Sequence, residues 1–379
     1  MDDRPLIRFQ APALPPVSEI AAYFSAAERV RWFSNQGPCL KLLVERMDAY
    51  LGPGLHCVPL ANATSALALG LRALARTDGP RREVVLPSFT FAAAVSAVLW
   101  AGLEPVFVDV EEGSWHLCPD ALDAALERGT IAAVLAASTF GSPPSEAIRA
   151  RWQTAGAQAG VPVLVDSAAG FGAVTGGGER LGRQGTAEVF SFHATKPFAI
   201  GEGGLLVSAD AELAGRVSRL ANFGFQAGSV AAEVGFNAKL AEWPAATALA
   251  VLDGFGDVLA ARRAHAAQLL AGVGPHGYRP QAIDGEPAWQ FVPVLAPSRA
   301  VRDAAIAIAA SDGIELRAYF SVPLHRMPAF GGLPVAGSLA ITERLAGRVL
   351  SLPMANDQSA DDRRRIVAAL ATATAAEPA

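Results

Sequence analysis

The sequence predicts an α/β fold in which helices cover a mostly parallel sheet, followed by a smaller C-terminal α/β domain. Short apolar runs alternate with helical patterns through the first two-thirds of the 379 residues. Hydrophobic residues make up 51% of the chain, which is enough to fill a large core. The pattern changes near residue 253, so we expect a large domain at residues 1–253 and a small domain at residues 254–379.

Six short runs have the character of strands buried on both faces. Each is nearly continuously apolar and bounded by Gly, Pro or Asp, as is typical of strands inside a parallel sheet. The predicted strands cover Glu83–Leu86, Pro105–Val110, Ala132–Ala137, Val161–Asp166, Glu188–Phe192 and Leu205–Ser208.

Helical patterns lie between these strands, and this alternation favours a parallel sheet covered by helices. An earlier helix begins at Gly37-Pro38, because proline is favoured in the first turn. Its apolar face consists of Leu40, Leu43, Val44 and Met47. The helices predicted after it cover Thr64–Ala75, Phe91–Trp100, Pro119–Glu127 and Ser145–Ala159.

The predicted small domain begins with a long Ala/Arg-rich helix over Val258–Leu270. A strand near Trp289–Leu295 and a helix over Ser298–Ala310 follow. A Pro-rich stretch from Val322 to Pro334 and two more helices complete the domain. We expect the Ala-rich tail after Val367 to be frayed.

Composition excludes several classes of function. The net charge is -5 and the pI is about 5.7, and basic residues do not cluster with aromatic ones, so no nucleic-acid partner is expected. Cys39, Cys57 and Cys118 have neither metal-ligand spacing nor the density of a disulfide framework. The first five residues lack an apolar signal core, and no uncharged run reaches membrane-spanning length. These features predict a cytoplasmic protein without a membrane partner or a metal site.

Lys196 lies in the segment with the most chemical information, since it follows a predicted strand and precedes the glycine-rich Gly201-Glu202-Gly203-Gly204. Burial beside so apolar a strand lowers the pKa of a lysine toward neutrality. A neutral amine can attack an aldehyde and form an imine. A surface lysine in a loop is the alternative that residue statistics favour.

Asp166 lies at the C-terminal end of a predicted strand, where α/β sheets bind ligands. Next to a pyridine nitrogen, such a carboxylate keeps the ring protonated and strengthens it as an electron sink. The same residue could instead cap the segment that follows.

Thr64 lies at the start of a predicted helix, and Phe91 follows a predicted strand. The N–H groups at the start of a helix can bind a phosphate, although Thr64 could equally be an N-cap. Phe91 could stack on a flat cofactor, although an aromatic residue after a strand more often belongs to the core.

In their order along the chain, these motifs resemble those of the DegT/DnrJ/EryC1/StrS family of sugar aminotransferases, which have the type I (aspartate-aminotransferase) fold of pyridoxal-phosphate enzymes. The similarity extends from about Trp32 to Ala369. Its most specific motif is Ser191-Phe192-His193-Ala194-Thr195-Lys196. The supporting motifs are Asn35-Gln36-Gly37-Pro38, Pro87-Ser88-Phe89-Thr90-Phe91, Pro105-Val106-Phe107-Val108-Asp109-Val110, Gly201-Glu202-Gly203-Gly204, Gly235-Phe236-Asn237-Ala238-Lys239 and Pro323-Leu324-His325.

The resemblance implies roles around the ring of pyridoxal 5′-phosphate. Lys196 would bind the cofactor as a Schiff base, Asp166 would pair with the pyridine nitrogen, and Phe91 would stack on the ring. Lysine at this position favours transamination, because the related sugar 3-dehydratases typically carry histidine there.

The resemblance also implies a set of phosphate contacts. Ala63 and Thr64 match a Gly-Thr pair, and alanine should be tolerated because backbone N–H groups bind the phosphate. Ser191 matches a further phosphate ligand. Asn237 matches a residue that reaches the phosphate from the neighbouring subunit, which implies a homodimer with shared active sites.

Ala169 departs from the family pattern, since many members have Gln or His three residues after the aspartate. That side chain contacts the cofactor ring region, so alanine leaves space and removes a hydrogen bond. The change would suit a shifted substrate position or a different reaction branch.

The implied reaction is a ping-pong transamination. Glutamate would donate the amino group, Lys196 would transfer the proton, and a nucleotide-linked keto-deoxy sugar would accept the amino group. Candidate residues for the sugar pocket are His193, Glu202 and His325. Arg317 is a candidate contact for an anionic group of the substrate. Each of these side chains could instead be a structural polar residue.

Other functions are also compatible with the sequence. One is amination of a carbocyclic ketone of the aminocyclitol or aminobenzoate type. Another is a non-catalytic pyridoxal-phosphate-binding regulator, which Ala169 would suit. Joint retention of Asp166, Ser191, Lys196 and Asn237 argues against a regulator. A Rossmann-type nucleotide binder is disfavoured, because no Gly-x-Gly-x-x-Gly follows the first strand.

Overall fold

The computed structural model of the chain describes residues 5–77, 79–226 and 230–376. The helices are α1 Val17–Val30, α2 Pro38–Leu51, α3 Ala63–Leu74, α4 Ala92–Trp100, α5 Pro119–Leu126, α6 Glu146–Ala159, α7 Ala211–Leu220, α8 Glu242–Val273, α9 Arg299–Ser311, α10 Ala340–Arg348 and α11 Ala360–Ala375. The strands are β1 His56–Leu60, β2 Glu83–Pro87, β3 Glu104–Val108, β4 Ile131–Ala137, β5 Val163–Asp166, β6 Val174–Thr175, β7 Ala187–Ser191, β8 Gly204–Ser208, β9 Arg279–Pro280, β10 Gly285–Glu286, β11 Val292–Leu295 and β12 Val349–Leu352.

Seven strands form the central sheet in the order β1-β8-β7-β5-β4-β2-β3. The pairs β3/β2, β2/β4, β4/β5 and β5/β7 are parallel, whereas β8 is antiparallel to both β7 and β1. Helix α3 packs against α4 and against α7, and all three helices contact strands of this sheet. The predicted α/β fold with a mostly parallel sheet is confirmed.

The six predicted strands agree with β2, β3, β4, β5, β7 and β8 to within about two residues. Strand β1 was not predicted, because its pattern includes a proline and an exposed histidine, His56. The helix expected over Val258–Leu270 is the C-terminal half of α8. The predicted strand near Trp289–Leu295 is shorter than expected and begins at Val292.

The expectation of a frayed tail after Val367 is wrong for the residues that the structure describes there. Helix α11 continues to Ala375, and the side chains of Ala369, Leu370 and Ala373 are buried. Alanine has a high helix propensity, and this apolar face packs against α8 and α9. The tail beyond residue 376 and the N-terminal Met1–Arg4 segment, where no signal core is expected, lie outside the described residues.

A second core lies in the C-terminal part of the chain, around the antiparallel sheet β12-β11-β9. Ile7 and Phe9 are buried in this core rather than against the central sheet, and Ile7 bridges to Ile314. The expected boundary after residue 253 falls within the continuous helix α8. The division into domains at that residue therefore stays a prediction.

Helix α8 connects the two cores. Its length and composition would be sufficient to cross a membrane. However, α8 packs against α1, α2 and α11, and it buries the charged side chains of Glu242 and Arg262. Glu242 accepts hydrogen bonds from the N–H groups of Cys39 at 2.7 Å and Leu40 at 3.3 Å, so its carboxylate caps the start of α2. These contacts identify α8 as a core helix.

Candidate active site

A cavity of about 750 Å³ lies at the carboxyl ends of three strands of the central sheet. Strand β5 ends at Asp166, β7 ends at Ser191, and Asn62 and Ala63 follow β1. Since β1 and β7 are both antiparallel to β8, their carboxyl ends lie at the same edge of the sheet. This edge is where parallel α/β sheets bind ligands.

Lys196 reaches this cavity from the loop between β7 and β8. Backbone hydrogen bonds from Ala194 N to Gly201 O, at 2.7 Å, and from Lys196 N to His193 O, at 2.9 Å, fix the loop. The ε-amino group donates to Gln290 Oε1 at 2.9 Å. Burial lowers the pKa of Lys196 to about 8, although the charge of Asp166 opposes this shift.

Asp166 is the last residue of β5 and is only 7% exposed. Its Oδ1 accepts a hydrogen bond from Ala168 N at 3.1 Å. Burial raises the pKa of Asp166 to about 6, while this hydrogen bond and the Lys196 ammonium oppose the increase. The carboxylate is therefore the predominant form at neutral pH.

Helix α3 begins at the cavity with Ala63 and Thr64. Its N-cap is Asn62, whose side chain accepts from Ser65 N at 2.8 Å, so the alternative of Thr64 as N-cap is wrong. The first N–H groups of a helix have no acceptor within the helix. Among the described residues, the N–H groups of Ala63 and Thr64 have no acceptor elsewhere either.

Phe91 and Ser191 also line the cavity. Phe91 precedes the first residue of α4 and is 58% exposed, so it is not the core aromatic residue considered as the alternative. Ser191 is buried at the end of β7, and its hydroxyl accepts from His193 N at 3.3 Å.

Two of the four candidate substrate-binding residues, His193 and Glu202, line the cavity. His193 Nε2 and Glu202 Oε1 are 3.7 Å apart. His193 Nδ1 lies 2.8 Å from Thr195 Oγ1. These two side chains therefore form a polar rim near Lys196.

The other two candidates, His325 and Arg317, do not line this cavity. His325 lies between Ser88 Oγ at 2.7 Å and Glu343 Oε1 at 2.8 Å, where it joins the end of β2 to α10. The Arg317 guanidinium lies 5.2 Å from the centre of the Phe9 ring. The His325 side chain is thus held by protein groups, whereas Arg317 is exposed at the surface with its guanidinium beside the Phe9 ring.

Asn237, expected to act in a neighbouring subunit, does not line the cavity of its own chain, although the adjacent Phe236 does. Its backbone bridges to Asn222, and Phe236 is 42% exposed. The segment thus projects an aromatic side chain from the surface beside the cavity.

Ala169 lies in the wall of the cavity and is 8% exposed. The loop of Thr139, Phe140 and Gly141 packs closely on it, and a Cβ on Gly141 would collide with the Ala169 backbone. Gly141 has a φ of 78°, which glycine adopts without strain. The space next to the small Ala169 side chain is thus bordered by a closely packed loop.

Sequence patterns did not identify the aromatic wall of the cavity or Gln290. Phe140 and Phe320 line the cavity with ring centres 4.7 Å apart, and both have positive φ values, 61° and 67°. Phe291 and Tyr319 stack at 5.2 Å beside them. These residues come from segments far apart in the sequence, and the only local signal was the apolar run near residue 291.

The residues around the cavity fit pyridoxal phosphate. Lys196 supplies an amine of lowered pKa and Asp166 a buried carboxylate, in a cavity large enough for a cofactor together with a substrate. The N-terminus of α3 offers free N–H groups for a phosphate. A Cβ on Gly204 would lie 2.5 Å from the Asn62 carbonyl carbon, so glycine permits β8 to support this helix terminus closely.

Comparisons with known proteins agree over nearly the whole chain. The sequence model of the DegT/DnrJ/EryC1/StrS aminotransferase family matches residues 17–371. Protein Rv3402c of Mycobacterium tuberculosis is 36% identical over 372 residues, 97% of this chain and 90% of that protein. The dTDP-4-amino-4,6-dideoxy-D-glucose transaminase of Escherichia coli is 29% identical over 91% of this chain and 93% of its own. The crystal structure of DesI in the presence of its TDP-sugar product has a TM-score of 0.89 at 33% identity, covering 99% of this chain and 94% of that one.

Proposed function

The chain belongs to the DegT/DnrJ/EryC1/StrS aminotransferase family, whose cofactor is pyridoxal phosphate, and from this premise we propose that it transfers an amino group from glutamate to a keto group of a nucleotide-linked deoxy sugar. The observation that supports the proposal most directly is that Lys196 and Asp166 share one cavity and influence each other's pKa. The E. coli transaminase, named for a dTDP-linked amino sugar, supports a sugar acceptor. The reaction would then be a step in the biosynthesis of an amino sugar.

We assign the cofactor contacts to five residues and one helix terminus of this chain. Lys196 would bind the cofactor covalently, Asp166 would pair with the pyridine nitrogen, and Phe91 would cover the ring. Thr64 and Ser191, with the N-terminus of α3, would bind the phosphate. When bound, pyridoxal phosphate supplies an electron sink that stabilises negative charge at the carbon next to the transferred nitrogen.

Lys196 would also move the proton. While the substrate amine occupies the cofactor, the ε-amino group is free to take a proton from the α-carbon of glutamate at Nζ and return one later. Because the pKa of Lys196 is lowered to about 8, an appreciable fraction of this amine is neutral at physiological pH. A general base of this kind works best when its pKa is near the working pH.

Asp166 would keep the pyridine nitrogen of the cofactor in its protonated, charged state. With its pKa raised only to about 6, the carboxylate stays ionised at neutral pH and can accept a hydrogen bond from a protonated ring nitrogen. The burial of Asp166 strengthens this interaction, because water does not screen it.

We further propose a cytoplasmic homodimer in which Asn237 contacts the cofactor phosphate of the partner subunit. Five large aromatic side chains that are 42–52% exposed support a second subunit: Trp32, Phe33, Phe223, Phe236 and Trp243. The three cysteines are free, which is consistent with a reducing compartment.

An absorbance experiment tests the assigned reaction. Addition of glutamate should remove the visible band of the lysine-bound cofactor, and addition of a nucleotide-linked keto sugar should restore it. The Lys196→Ala variant should show neither change, whereas Lys41→Ala, a surface lysine beside Trp32, should behave like the wild type. A wild-type protein that shows no visible band with added cofactor would contradict the role of Lys196.

Inhibition distinguishes the acceptor. A free nucleoside diphosphate should compete with a nucleotide-linked sugar, and absence of competition would favour a carbocyclic ketone instead.

Mixing inactive Lys196→Ala and Asn237→Ala chains tests the shared site. Mixed dimers should recover part of the activity, and a monomer in solution would contradict this assignment.

A further inference from the structure

We propose that Gln290 is a positioning residue that holds the ε-amino group of Lys196 through its neutral side-chain carbonyl. This inference rests on the proposed function, since it concerns the lysine that would bind the cofactor and move the proton. Gln290 lies just before β11, 94 residues from Lys196 in sequence, and is 6% exposed in the wall of the cavity.

The orientation of the Gln290 amide follows from the chemistry of its two partners. The ammonium form of lysine has only donors, so in that form the atom 2.9 Å from Lys196 Nζ must be the carbonyl oxygen, Oε1. The amide nitrogen, Nε2, then donates to Thr195 Oγ1 at 3.2 Å. The Thr195 hydroxyl can in turn donate to His193 Nδ1, which also accepts from Thr195 N. The amide is therefore fixed at both ends.

A buried arginine holds the backbone that carries Gln290. Arg262, 5% exposed in the middle of α8, donates through Nη1 to Trp289 O at 2.8 Å and to Gln290 O at 3.3 Å. Its Nε donates to Asn356 Oδ1 at 2.7 Å. Trp289 has a φ of 55°, an uncommon value for a bulky residue, and these bonds stabilise that turn. Of the described residues assigned to the site, Gln290 alone is hydrogen-bonded to this buried cation.

A neutral acceptor suits a lysine that must alternate between two protonation states. A carboxylate at this position would favour the ammonium form and make its proton harder to remove. An amide oxygen accepts a hydrogen bond from the amine as well as from the ammonium. It can therefore keep Nζ at one place without retaining the proton there.

The experiment measures how cyanate modifies Lys196 at different pH values, since cyanate reacts with neutral amines. The full-length chain freed of cofactor is used, and peptide mass spectrometry reads Lys196 and Lys41 in the same sample. Gln290→Glu should move the Lys196 midpoint upward by about one pH unit, a tenfold slower modification below the midpoint. Gln268→Glu, the same change on the exposed side of α8, should leave it unchanged. An unchanged midpoint in Gln290→Glu would overturn the proposal.

A second variant covers the case in which Gln290→Glu fails to fold. Gln290→Met removes the hydrogen-bond acceptor for Lys196 at similar side-chain volume. It should not raise the pH midpoint of Lys196 modification. In the holoenzyme it should slow the glutamate half-reaction roughly ten- to hundredfold at unchanged KM, because a displaced amine loses its alignment. A wild-type rate in Gln290→Met would refute a positioning role. The cyanate measurement needs no substrate, so it remains informative if glutamate is not the donor.

Discussion

Glu188 is a fully buried carboxyl group on β7, next to the strand that carries Asp166. Ser167 Oγ donates to Glu188 Oε1, while the N–H groups of Gly182 at 2.6 Å and Gln184 at 3.2 Å donate to Oε2. Burial nevertheless raises the pKa of Glu188 from 4.5 to about 7. The folded protein thus keeps a proton here that the unfolded chain has already lost above pH 5.

Glu188→Gln should reduce the loss of stability on raising the pH from 5 to 8. Because the folded pKa is above the unfolded value, the contribution of Glu188 is fully present below pH 4.5 and is lost as the pH rises through about 7. The difference corresponds to roughly 3 kcal/mol. Glutamine can keep all three hydrogen-bond partners if its carbonyl oxygen accepts from Gly182 N and Gln184 N and its amide nitrogen donates to Ser167 Oγ. The variant should therefore unfold at a similar denaturant concentration at pH 5 and a higher one at pH 8. Glu127→Gln, the same change at an exposed residue, provides the control. If the stability of wild type and of Glu188→Gln changed in parallel with pH, Glu188 would not be the source of the pH dependence.

Gly141 and Gly102 form a matched pair of residues. Both have a φ of 78°, but Gly102 faces open space whereas a Cβ on Gly141 would collide with the carbonyl group of Ala169. Both alanine variants incur backbone strain of about 1–2 kcal/mol. Gly141→Ala should lose about 1–3 kcal/mol more, as in overpacked cores, and denaturant unfolding of the two variants measures the difference. Equal losses of stability in the two variants would mean that the loop at Gly141 can move away from Ala169 at little cost in free energy.

At the scale of single elements, the junction of β8 with α3 connects the sheet to the phosphate-binding helix terminus. Gly204 begins β8, and a Cβ there would lie 2.6 Å from Ala63 N. Gly204→Ala should displace the start of α3, destabilise the fold by about 1–3 kcal/mol and weaken cofactor binding. Gly215→Ala on α7, where the nearest atom is 3.5 Å away, should instead stabilise by about 0.5–1 kcal/mol with unchanged affinity. Cofactor titration and denaturant unfolding of both variants test these expectations. An unchanged cofactor affinity in Gly204→Ala would show that Gly204 does not support the phosphate-binding helix terminus.

The elements differ in how far the sequence predicts them. The interior strands of the sheet were predicted because burial on both faces makes them continuously apolar, as in β4. Helix α8 was predicted at half its length, because it is apolar around much of its circumference where it passes between packed neighbours. Strand β1 lacks a continuous apolar run and was missed.

The residues of the candidate site also differ in how far the sequence predicts them. Local patterns indicated Asp166 at a strand end, Thr64 at a helix start and Lys196 in the segment after a strand. Ser191 was identified through the family resemblance. Gln290 has no such signal, because its role depends on a contact across 94 residues of sequence. Contacts of this kind depend on how the two cores pack, and no local pattern records that.

At the scale of the whole molecule, the N-terminal segment becomes part of the cavity wall. Phe9 is fully buried, with its ring centre 5.3 Å from that of Phe291 and 5.6 Å from that of Tyr319, and both of these residues line the cavity. Glu315 accepts from Phe9 N at 2.9 Å, which anchors the segment to the C-terminal core. Phe9 therefore supports two side chains that lie about three hundred positions later in the sequence.

Phe9→Ala should consequently affect both stability and substrate binding. Removing a buried phenylalanine costs about 3–5 kcal/mol, and the vacated space would let Phe291 and Tyr319 move away from the cavity. We expect a lower thermal midpoint and a higher KM for the sugar acceptor. Leu6→Ala, a neighbouring residue that is 56% exposed, should change stability by less than about 0.5 kcal/mol. If Phe9→Ala lowered the midpoint but left the KM unchanged, the segment would stabilise the second core without shaping the wall of the cavity.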